Sequence, residues 1–471
     1  MNQRAPIRVQ NEPPVNSAPG EDRKAVWGWA LYDWANSAFA TTVMAGFFPI
    51  FFKQYWSQGT DTNVSTAQLG LGNSIASLII AILAPVLGAI ADQASVRKKL
   101  LIFFAYLGAS MTAGLALVGK GQWELALLLY VTAIVGFSGS IVFYDALLPA
   151  VASEPRIDYV SSLGYAMGYL GGGLLFLINV LMTLMPERFG LPDATAAVRV
   201  AFLTVALWWG GFTLFTVRWV PEVIYQPSTA GIRSAVLLGI RQIGKTLREL
   251  RRSKTAFLFL AAYWFYIDGV DTIIRMAVDY GLALGFQATD LILALLVVQF
   301  VGFPSALAFG KLGQVVGARR AIFAAIGFYL LITLWGTLMT RKAEFYILAV
   351  MIGLVQGGIQ ALSRSYYARL IPRHRTAEYF GFYNMLGKFA AIIGPALMGV
   401  VGLAAKRMLM PPTPTAADLV HYGQVASRWS IGSIALLFLI GGVLLTFVDE
   451  KKGRAEAARL SDDAPVPSSS A

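Results

Sequence analysis

Twelve long apolar segments narrow the folds open to this sequence more than any other feature. A helix rises about 1.5 Å per residue, so roughly 20 apolar residues cross the hydrocarbon core of a bilayer, which is about 30 Å thick. Only 14% of the residues are charged, against about 25% in a soluble domain. We therefore predict an all-α membrane protein with twelve transmembrane helices, near residues 27–52, 67–91, 98–119, 122–152, 159–185, 198–220, 255–284, 288–312, 319–340, 343–371, 377–403 and 427–448.

The polar intervals divide the spans into two groups of six. Residues 1–24 are polar and contain no apolar core of a cleavable signal peptide, so we expect a disordered tail. We predict six-helix bundles at 25–220 and 255–449. The linker at 221–254 has apolar and basic residues on separate faces of a helix, as in a helix lying on the membrane surface. Residues 450–471 are charged and then rich in Ser and Pro, which predicts a second disordered tail.

The net charge of +12 fits either a nucleic-acid-binding surface or the topology of a membrane protein. Lys and Arg concentrate in the intervals that share a side with the termini, and the positive-inside rule then places both termini in the cytoplasm. This distribution favours the lipid bilayer over nucleic acid as the partner. With no cysteine and only two histidines, the chain has neither thiolate ligands nor a histidine-rich metal site, so we expect no metal and no cofactor.

The seventh span is the most unusual segment, because Tyr263–Tyr280 carries Asp268, Asp271, Arg275 and Asp279 within an apolar helix. At about 100° per residue, three of these four groups lie within roughly 20° of one another. A charge at the centre of a bilayer costs at least about 2.5 kcal/mol on insertion scales, so this face must contact protein or a wet cavity. We interpret it as the lining of a solute pathway. The alternative is an internal pairing of aspartates with Arg275.

Three features recur in the same order in both groups of spans. The loop GAIADQASVRK, from Gly88, follows the second span, and GKLGQVVGARR, from Gly310, follows the eighth. The pattern Tyr-x-x-Leu-[Leu/Ile]-Pro ends both the fourth and the tenth span. The first and seventh spans each carry a polar pair three residues apart: Asp33 with Asn36, and Asp268 with Asp271. Three matches in one order predict a six-plus-six duplication.

The duplicated loop resembles the signature G-x-L-x-D-x-x-G-x-R-[RK] of major facilitator transporters, departing from it at Ser95 and Gln314. The segments WALYDWANSAFATT at 29–42, YLGGGLL at 169–175 and GGIQALSRSYYARLIP at 357–372 resemble the autophagy-related vacuolar effluxer-like branch, which has bacterial members. The resemblance implies two pseudo-symmetric six-helix bundles, a bacterial inner membrane and secondary transport by alternating access. It also implies amino acids as the substrate class.

In that fold the first, fourth, seventh and tenth helices line the cavity. A zwitterion needs an anion for its ammonium group, which Asp33 or Asp268 could supply, and a cation for its carboxylate, which Arg364 or Lys388 could supply. The alternative for these two cations is neutralisation of the aspartates. The predicted substrate-binding residues are Tyr32, Asp33, Asn36, Tyr144, Asp268, Asp271, Gln356, Gln360, Arg364 and Lys388.

Protons are a possible coupling ion, because a low-dielectric cavity favours the protonated form of a carboxyl group. The candidates are Asp33, Asp268 and Asp145, although Asp145 and Arg364 could instead act at a gate. Facilitated diffusion remains the alternative to coupling. A carboxylate on one helix end that pairs with a basic group can hold the cytoplasmic side of a transporter closed. The alternative is that these residues are ordinary loop charges. The predicted gating residues are Gly88, Asp92, Arg97, Gly310, Gly317 and Arg319.

Two other classes of function compete with a transporter. A membrane-embedded enzyme would need a nucleophile–base pair or metal-ligand spacing, and the sequence shows neither, so we predict that the protein is not an enzyme. A receptor or scaffold without transport would tolerate loss of the intramembrane aspartates. We favour a transporter of a small polar solute that acts as a monomer.

Overall fold

The computed structural model describes residues 22–60, 62–222, 248–249, 253–283, 287–339, 341–412 and 415–462, and these are almost entirely helical. The first half contains α1, beginning at Arg23, α2 (Thr62–Ala94), α3 (Arg97–Leu115), α4 (Trp123–Val151), α5 (Ile157–Leu184) and α6 (Ala194–Trp219). The second half contains α7 (Lys254–Ala283), α8 (Ala288–Val316), α9 (Ala318–Leu338), α10 (Lys342–Arg369), α11 (Thr376–Leu409) and α12 (Ala416–Ser433 with Ala435–Thr446).

The twelve-helix prediction is confirmed. Within the described residues, eleven helical stretches are long and apolar enough to cross a membrane. The twelfth helix, α3, packs against α4 and α6 in the same layer, but it begins with three consecutive basic residues that lower its mean hydropathy. The two halves form the pseudo-symmetric bundles that the duplication predicts.

Helix α1 changes its winding partway along its length. An α-helix, Arg23–Ala38, is followed by the π-helical segment Phe39–Phe47, a short α-helical turn and a second π-helical segment, Phe52–Trp56. The wider turns are visible in the hydrogen bond from the Ser57 N–H to the Phe52 carbonyl, five residues earlier. Such segments are frequent at functional sites. The sequence analysis did not predict this change of winding.

Two symmetry-related pairs of helices join the halves: α2 packs against α11, and α8 packs against α5. Glycine makes the close approach possible. A Cβ atom at Gly88 would overlap the carbonyl of Ala377, and one at Gly310 would lie 2.7 Å from the Cβ of Ser162. The two signature glycines therefore lie at helix crossings between the halves, on the face where α1 begins and α12 ends, which we call the terminal face.

Each duplicated loop also has a residue with positive φ at the corresponding position. Gly317 has φ +91°, and the corresponding residue of the first loop, Ser95, has φ +51°. Both lie in the left-handed region, where a side chain is disfavoured and glycine is not. The departure of Ser95 from the signature thus changes the residue while the positive φ is retained.

The prediction of a disordered tail from residue 450 is wrong for its first part, because Glu450–Asp462 forms a helix, α13. Gly453 packs against Leu370, and Glu456 accepts hydrogen bonds from the Ser253 hydroxyl and the Thr255 N–H at the start of α7. The segment looked disordered because it is highly charged, whereas small residues on one face allow it to dock. Residues 1–21, most of the predicted linker and 463–471 lie outside the described residues.

Candidate functional site

A cavity of about 270 Å³ lies between the halves, close to the roughly 300 Å³ at which ligand pockets begin. Helices α1, α4 and α5 contribute its first-half wall, and α8 and α10 its second-half wall. Its lining is mostly polar around a few aromatic and apolar side chains: Asp33, Asn36, Ser37, Ala40, Thr41, Phe137, Ile141, Tyr144, Asp145, Tyr165, Gly168, Tyr169, Gln299, Gln356, Gln360 and Arg364. The structure therefore brings together seven of the eight binding and proton-coupling residues predicted on α1, α4 and α10, and places them beside side chains of α5 and α8.

Asp33 presents its carboxylate to this cavity from the α-helical part of α1. The Tyr144 hydroxyl donates a hydrogen bond of 3.3 Å to Asp33 Oδ2. Opposite Asp33, Gly168 leaves room for the approach of α5, since a Cβ atom there would lie 2.6 Å from the Ser37 hydroxyl. A carboxylate that lines a cavity and has, among the described residues, only the hydroxyls of Tyr144 and Ser37 as side-chain hydrogen-bond donors is suited to contact a solute or a proton.

Arg364 ties the second half to the first. Its Nη1 lies 3.1 Å from Asp145 Oδ1 on α4, and its Nε and Nη2 donate to the hydroxyl and the carbonyl of Ser161 on α5. The Asn384 amide donates to the other oxygen of Asp145. Arg364 is only 2% exposed, so the ion pair is shielded from water and the guanidinium is held in a fixed position.

Tyr32 and Asn36 are buried on the inner side of α1. Tyr32 does not line the cavity, and its hydroxyl has no hydrogen-bond partner among the described residues. Asn36 lines the cavity, and its Nδ2 likewise lacks a partner in the described part of the chain. An unpartnered buried amide costs about 1–3 kcal/mol, so this position is suited to a water molecule or a polar solute.

The structure places Asp268 elsewhere, which corrects the prediction that Asp33 and Asp268 share one cavity. Asp268 is 1% exposed and accepts hydrogen bonds from the Gly394 N–H, at 3.0 and 3.1 Å to its two oxygens, and from the Thr272 hydroxyl. Gly394 precedes Pro395, which has no N–H and interrupts the ladder of α11. The carboxylate therefore accepts a backbone donor at this interruption.

No residue of α7 lines this cavity among those described, which corrects the expectation that α7 is one of its four walls. Asp271 and Lys388 are half-buried and lie outside the lining, whereas Gln356 and Gln360 belong to it. The side chains of Arg275 and Asp279 lie outside the described part of the structure. Helix α7 packs mainly on α11 and α12, so its polar face meets protein.

Several lining residues were missed by the sequence analysis, notably Gln299 on α8. Its Nε2 donates a 2.8 Å hydrogen bond to the Thr41 hydroxyl in the π-helical part of α1, across the two halves. Gln299 is a polar residue within the apolar run from Leu291 to Phe303. A lone polar residue in a span is a functional candidate by default, so this signal was present in the sequence.

The first duplicated loop joins the halves through charge. Asp92 lies 2.5 Å from Arg97 Nε and accepts hydrogen bonds from the backbone N–H groups of Ala377 and Glu378. Arg97 in turn donates to the carbonyl of His374. A carboxylate at the N-terminus of a helix is stabilised by the unpaired N–H groups there, so Asp92 caps α11 of the other half.

The second loop makes a weaker version of this contact. Gln314 Nε2 donates one exposed hydrogen bond, 3.2 Å long, to the carbonyl of Pro155, just before α5. Arg319 instead donates to the carbonyls of Leu445 and Thr446 at the end of α12, within its own half. The charged contact at this crossing comes from Asp158, which accepts from the Ser365 hydroxyl and from Arg369. Both the Asp92 contacts and the Asp158 contacts therefore join the halves at the terminal face.

Comparisons with known proteins agree with this architecture. The family model described as "Vacuole effluxer Atg22 like" matches residues 21–70 and 62–411. An uncharacterized MFS-type transporter, YxiO, of Bacillus subtilis is 37% identical over 93% of this chain and 97% of its own length. Autophagy-related protein 22 of Coccidioides immitis is 24% identical over 96% of this chain and 91% of its own.

Solved structures show the same fold at low sequence identity. The human organic anion transporter MFSD10 (TETRAN) has a TM-score of 0.67 at 14% identity, over 91% of this chain and all of that one. The proton:xylose symporter XylE has a TM-score of 0.65 at 14% identity, over 93% of this chain and 97% of its own. The chain is therefore an MFS-type transporter of the major facilitator fold, and it belongs to the Atg22-like vacuole effluxer family.

Proposed function

We propose that this protein is a secondary transporter that moves a small polar solute by alternating access around the cavity between its halves. The observation that carries the proposal is a polar cavity between the halves together with the Asp92 and Asp158 contacts, which join the halves at the terminal face. A transporter that exchanges these contacts for others would expose the cavity to each side in turn.

The distribution of Lys and Arg supports a cytoplasmic position for the terminal face, and the Bacillus relative supports a bacterial inner membrane. In this arrangement the cavity opens away from the cytoplasm when the Asp92 latch is formed. We expect the transporter to act as a monomer, since each chain contains a complete cavity between its own two halves.

For the solute, Asp33 is the proposed anchor of an ammonium group, as in an amino acid or a similar molecule. Asn36, Tyr144, Gln356 and Gln360 supply neutral hydrogen-bonding groups around it. Asp33 is also the proposed site of proton coupling, because protonation would remove the charge that holds the ammonium group and would weaken the hydrogen bond from Tyr144. A structural neighbour with this fold, XylE, bears the name of a proton symporter.

The test is uptake and counterflow in proteoliposomes. Purified protein would be assayed with amino acids, amines, sugars and organic anions, with and without a pH gradient. We expect at least one solute to exchange, with uptake driven by the gradient and lost in Asp33→Asn. If no solute moves under any gradient, the transport proposal fails. If flux ignores the gradient, the coupling proposal fails while transport stands.

A further inference from the structure

The cation that lines the cavity is already occupied by protein groups. Arg364 Nε donates to the Ser161 hydroxyl at 2.9 Å, Nη2 donates to the Ser161 carbonyl at 2.7 Å, and Nη1 pairs with Asp145 at 3.1 Å. A solute carboxylate could bind this guanidinium bidentately only by displacing one of these groups. Displacing Asp145 would leave its carboxylate buried without a cation, so the protein partners stay bound to Arg364.

The faces of the guanidinium are shielded as well. Its Cζ lies 4.8 Å from the ring of Trp29, 5.2 Å from that of Tyr144 and 4.5 Å from that of Tyr165. Trp29 is fixed in turn by a hydrogen bond from its Nε1 to the Tyr144 carbonyl. Cation–π contacts are strongest in a desolvated site, and these three further hold Arg364 in place. Its role in this state is to tie α10 to α4 and α5.

The charge of the described cavity lining is therefore negative. Asp33 and Asp145 are both present, and the one cation among the described lining residues is committed to Asp145. The described structure shows no ion pair of Asp33 within 4.0 Å, and its hydrogen bond from Tyr144 is long. Arg364 attracts Asp33 as well as Asp145, so two carboxylates share one guanidinium. A lining with this excess of negative charge attracts a cation and disfavours an anion.

Apart from Arg364, whose donors are taken by Asp145 and Ser161, the wall from the second half carries three neutral amides. Gln299, Gln356 and Gln360 face the cavity from the second half, and each amide can both donate and accept hydrogen bonds. Amides of this kind recognise hydroxyl or amide groups and offer no full charge to a carboxylate. The two walls together describe a site for a molecule with an ammonium group at one end and neutral polar groups at the other.

We propose that the cavity selects a small cationic amine bearing hydroxyl or amide groups, and that it discriminates against the corresponding amino acid with a free carboxylate. This inference rests on the proposed transport function and narrows its substrate class. Asp33 determines the preference for a cation, and the three glutamines form hydrogen bonds with the neutral groups of the solute. Arg364 is a positioning residue that leaves the charge of the site negative.

The test uses matched probes that differ only at the carboxylate. Binding to the purified protein would be measured by calorimetry for ethanolamine against glycine, 2-amino-1,3-propanediol against L-serine, and tyramine against L-tyrosine. We expect the amine of at least one pair to bind at least tenfold more tightly than its zwitterion, and none to bind more weakly. A zwitterion that binds as tightly as its amine, or better, overturns the inference.

Two variants test the assignment of the residues. Asp33→Asn should abolish the tenfold preference, whereas Glu124→Gln, on an exposed residue at the start of α4, should preserve it. Gln360→Glu adds a second carboxylate and should tighten the amine and weaken the zwitterion, which keeps the test valid if Asp33→Asn unfolds. An unchanged preference in Gln360→Glu and in folded Asp33→Asn overturns the inference.

The result also separates this inference from the function on which it rests. If another solute, such as a sugar, is transported while all three amines fail to bind, the inference is wrong and transport stands. If no solute of the broad panel moves in proteoliposomes, the transport proposal itself fails.

Discussion

Helices α1 and α7 are the corresponding first helices of the two halves, and each carries an aspartate at the matching position of a polar pair. In α1 this aspartate, Asp33, faces a cavity and accepts one hydrogen bond of 3.3 Å. In α7 it is Asp268, buried against α11 with the Gly394 N–H as its donor. Both halves therefore have the aspartate, but in the first half it faces the cavity and in the second half it binds a backbone N–H group.

The neighbours explain the difference. Helix α5 also packs closely here, since a Cβ atom at Gly168 would lie 3.4 Å from the Asp33 carboxyl carbon, but Asp33 still lines the cavity. Around Asp268, a Cβ atom at Gly394 would overlap the Thr272 hydroxyl, so α11 lies directly on the carboxylate. An aspartate at the same position in both repeats thus indicates that the span tolerates a carboxylate. The helix packed against that carboxylate determines whether it can bind a solute or only the backbone.

The sharpest way to break this comparison is to neutralise each aspartate in turn. Asp33→Asn removes the charge that contacts the solute, and since a charged hydrogen bond contributes about 1.5–3 kcal/mol, transport should fall by about 10- to 100-fold. Asp268→Asn keeps an oxygen for the Gly394 N–H and should change transport by less than about threefold. Counterflow rates in proteoliposomes measure both. Equal losses would show that the two carboxylates act alike.

The close packing on Asp268 can be tested at Gly394. Gly394→Ala forces the Cβ atom into the Thr272 hydroxyl and should lower the free energy of unfolding by about 1–3 kcal/mol, a typical overpacking cost. Gly399→Ala on the same helix is the control, because no atom lies within 4 Å of its Cβ position. Unfolding in mixed detergent micelles would be followed for both. A stable Gly394→Ala variant contradicts the tight α7–α11 contact.

The duplicated loops extend the comparison to the terminal face, where Asp92 makes a charged cap and Gln314 does not. Asp92→Asn loses the ion pair with Arg97 and weakens the cap on α11, so opening of this face should increase by about tenfold, or about 1.4 kcal/mol. Because the chain has no cysteine, a single Ala152→Cys reporter at this face allows the labelling rate to be measured. An unchanged rate would remove Asp92 from the latch.

The corresponding change in the second loop should have almost no effect. Gln314→Ala removes one exposed hydrogen bond, and surface changes of this kind usually lie within about 0.5 kcal/mol. In the same Ala152→Cys background, we expect less than a twofold change in labelling rate. A large increase would show that both loops latch the halves equally, and the asymmetry inferred from Asp92 would then be wrong.

Much of the fold followed from local patterns. The lengths of the apolar runs predicted twelve spans, and the repeated motifs predicted two matching halves. Both properties are local features of the amino-acid sequence. The candidate site was predicted for α1, α4, α7 and α10, whereas its described lining comes from α1, α4, α5, α8 and α10. The sequence shows Gln299 as a lone polar residue in its span, but its contact with Thr41 depends on the crossing of α8 with α1. Helix α13 was missed for the same reason, since its docking depends on Gly453 meeting Leu370.

By itself the sequence determined that this chain is a duplicated bundle of membrane helices with a few ionisable groups inside, because apolar length and motif order are properties of the chain alone. Only the tertiary structure decided that Asp33 faces a cavity, that Asp268 binds the backbone of α11, and that Arg364 is committed to Asp145. The physical reason is that the state and accessibility of a buried charge depend on its neighbours in space. Those neighbours come from helices more than one hundred residues away.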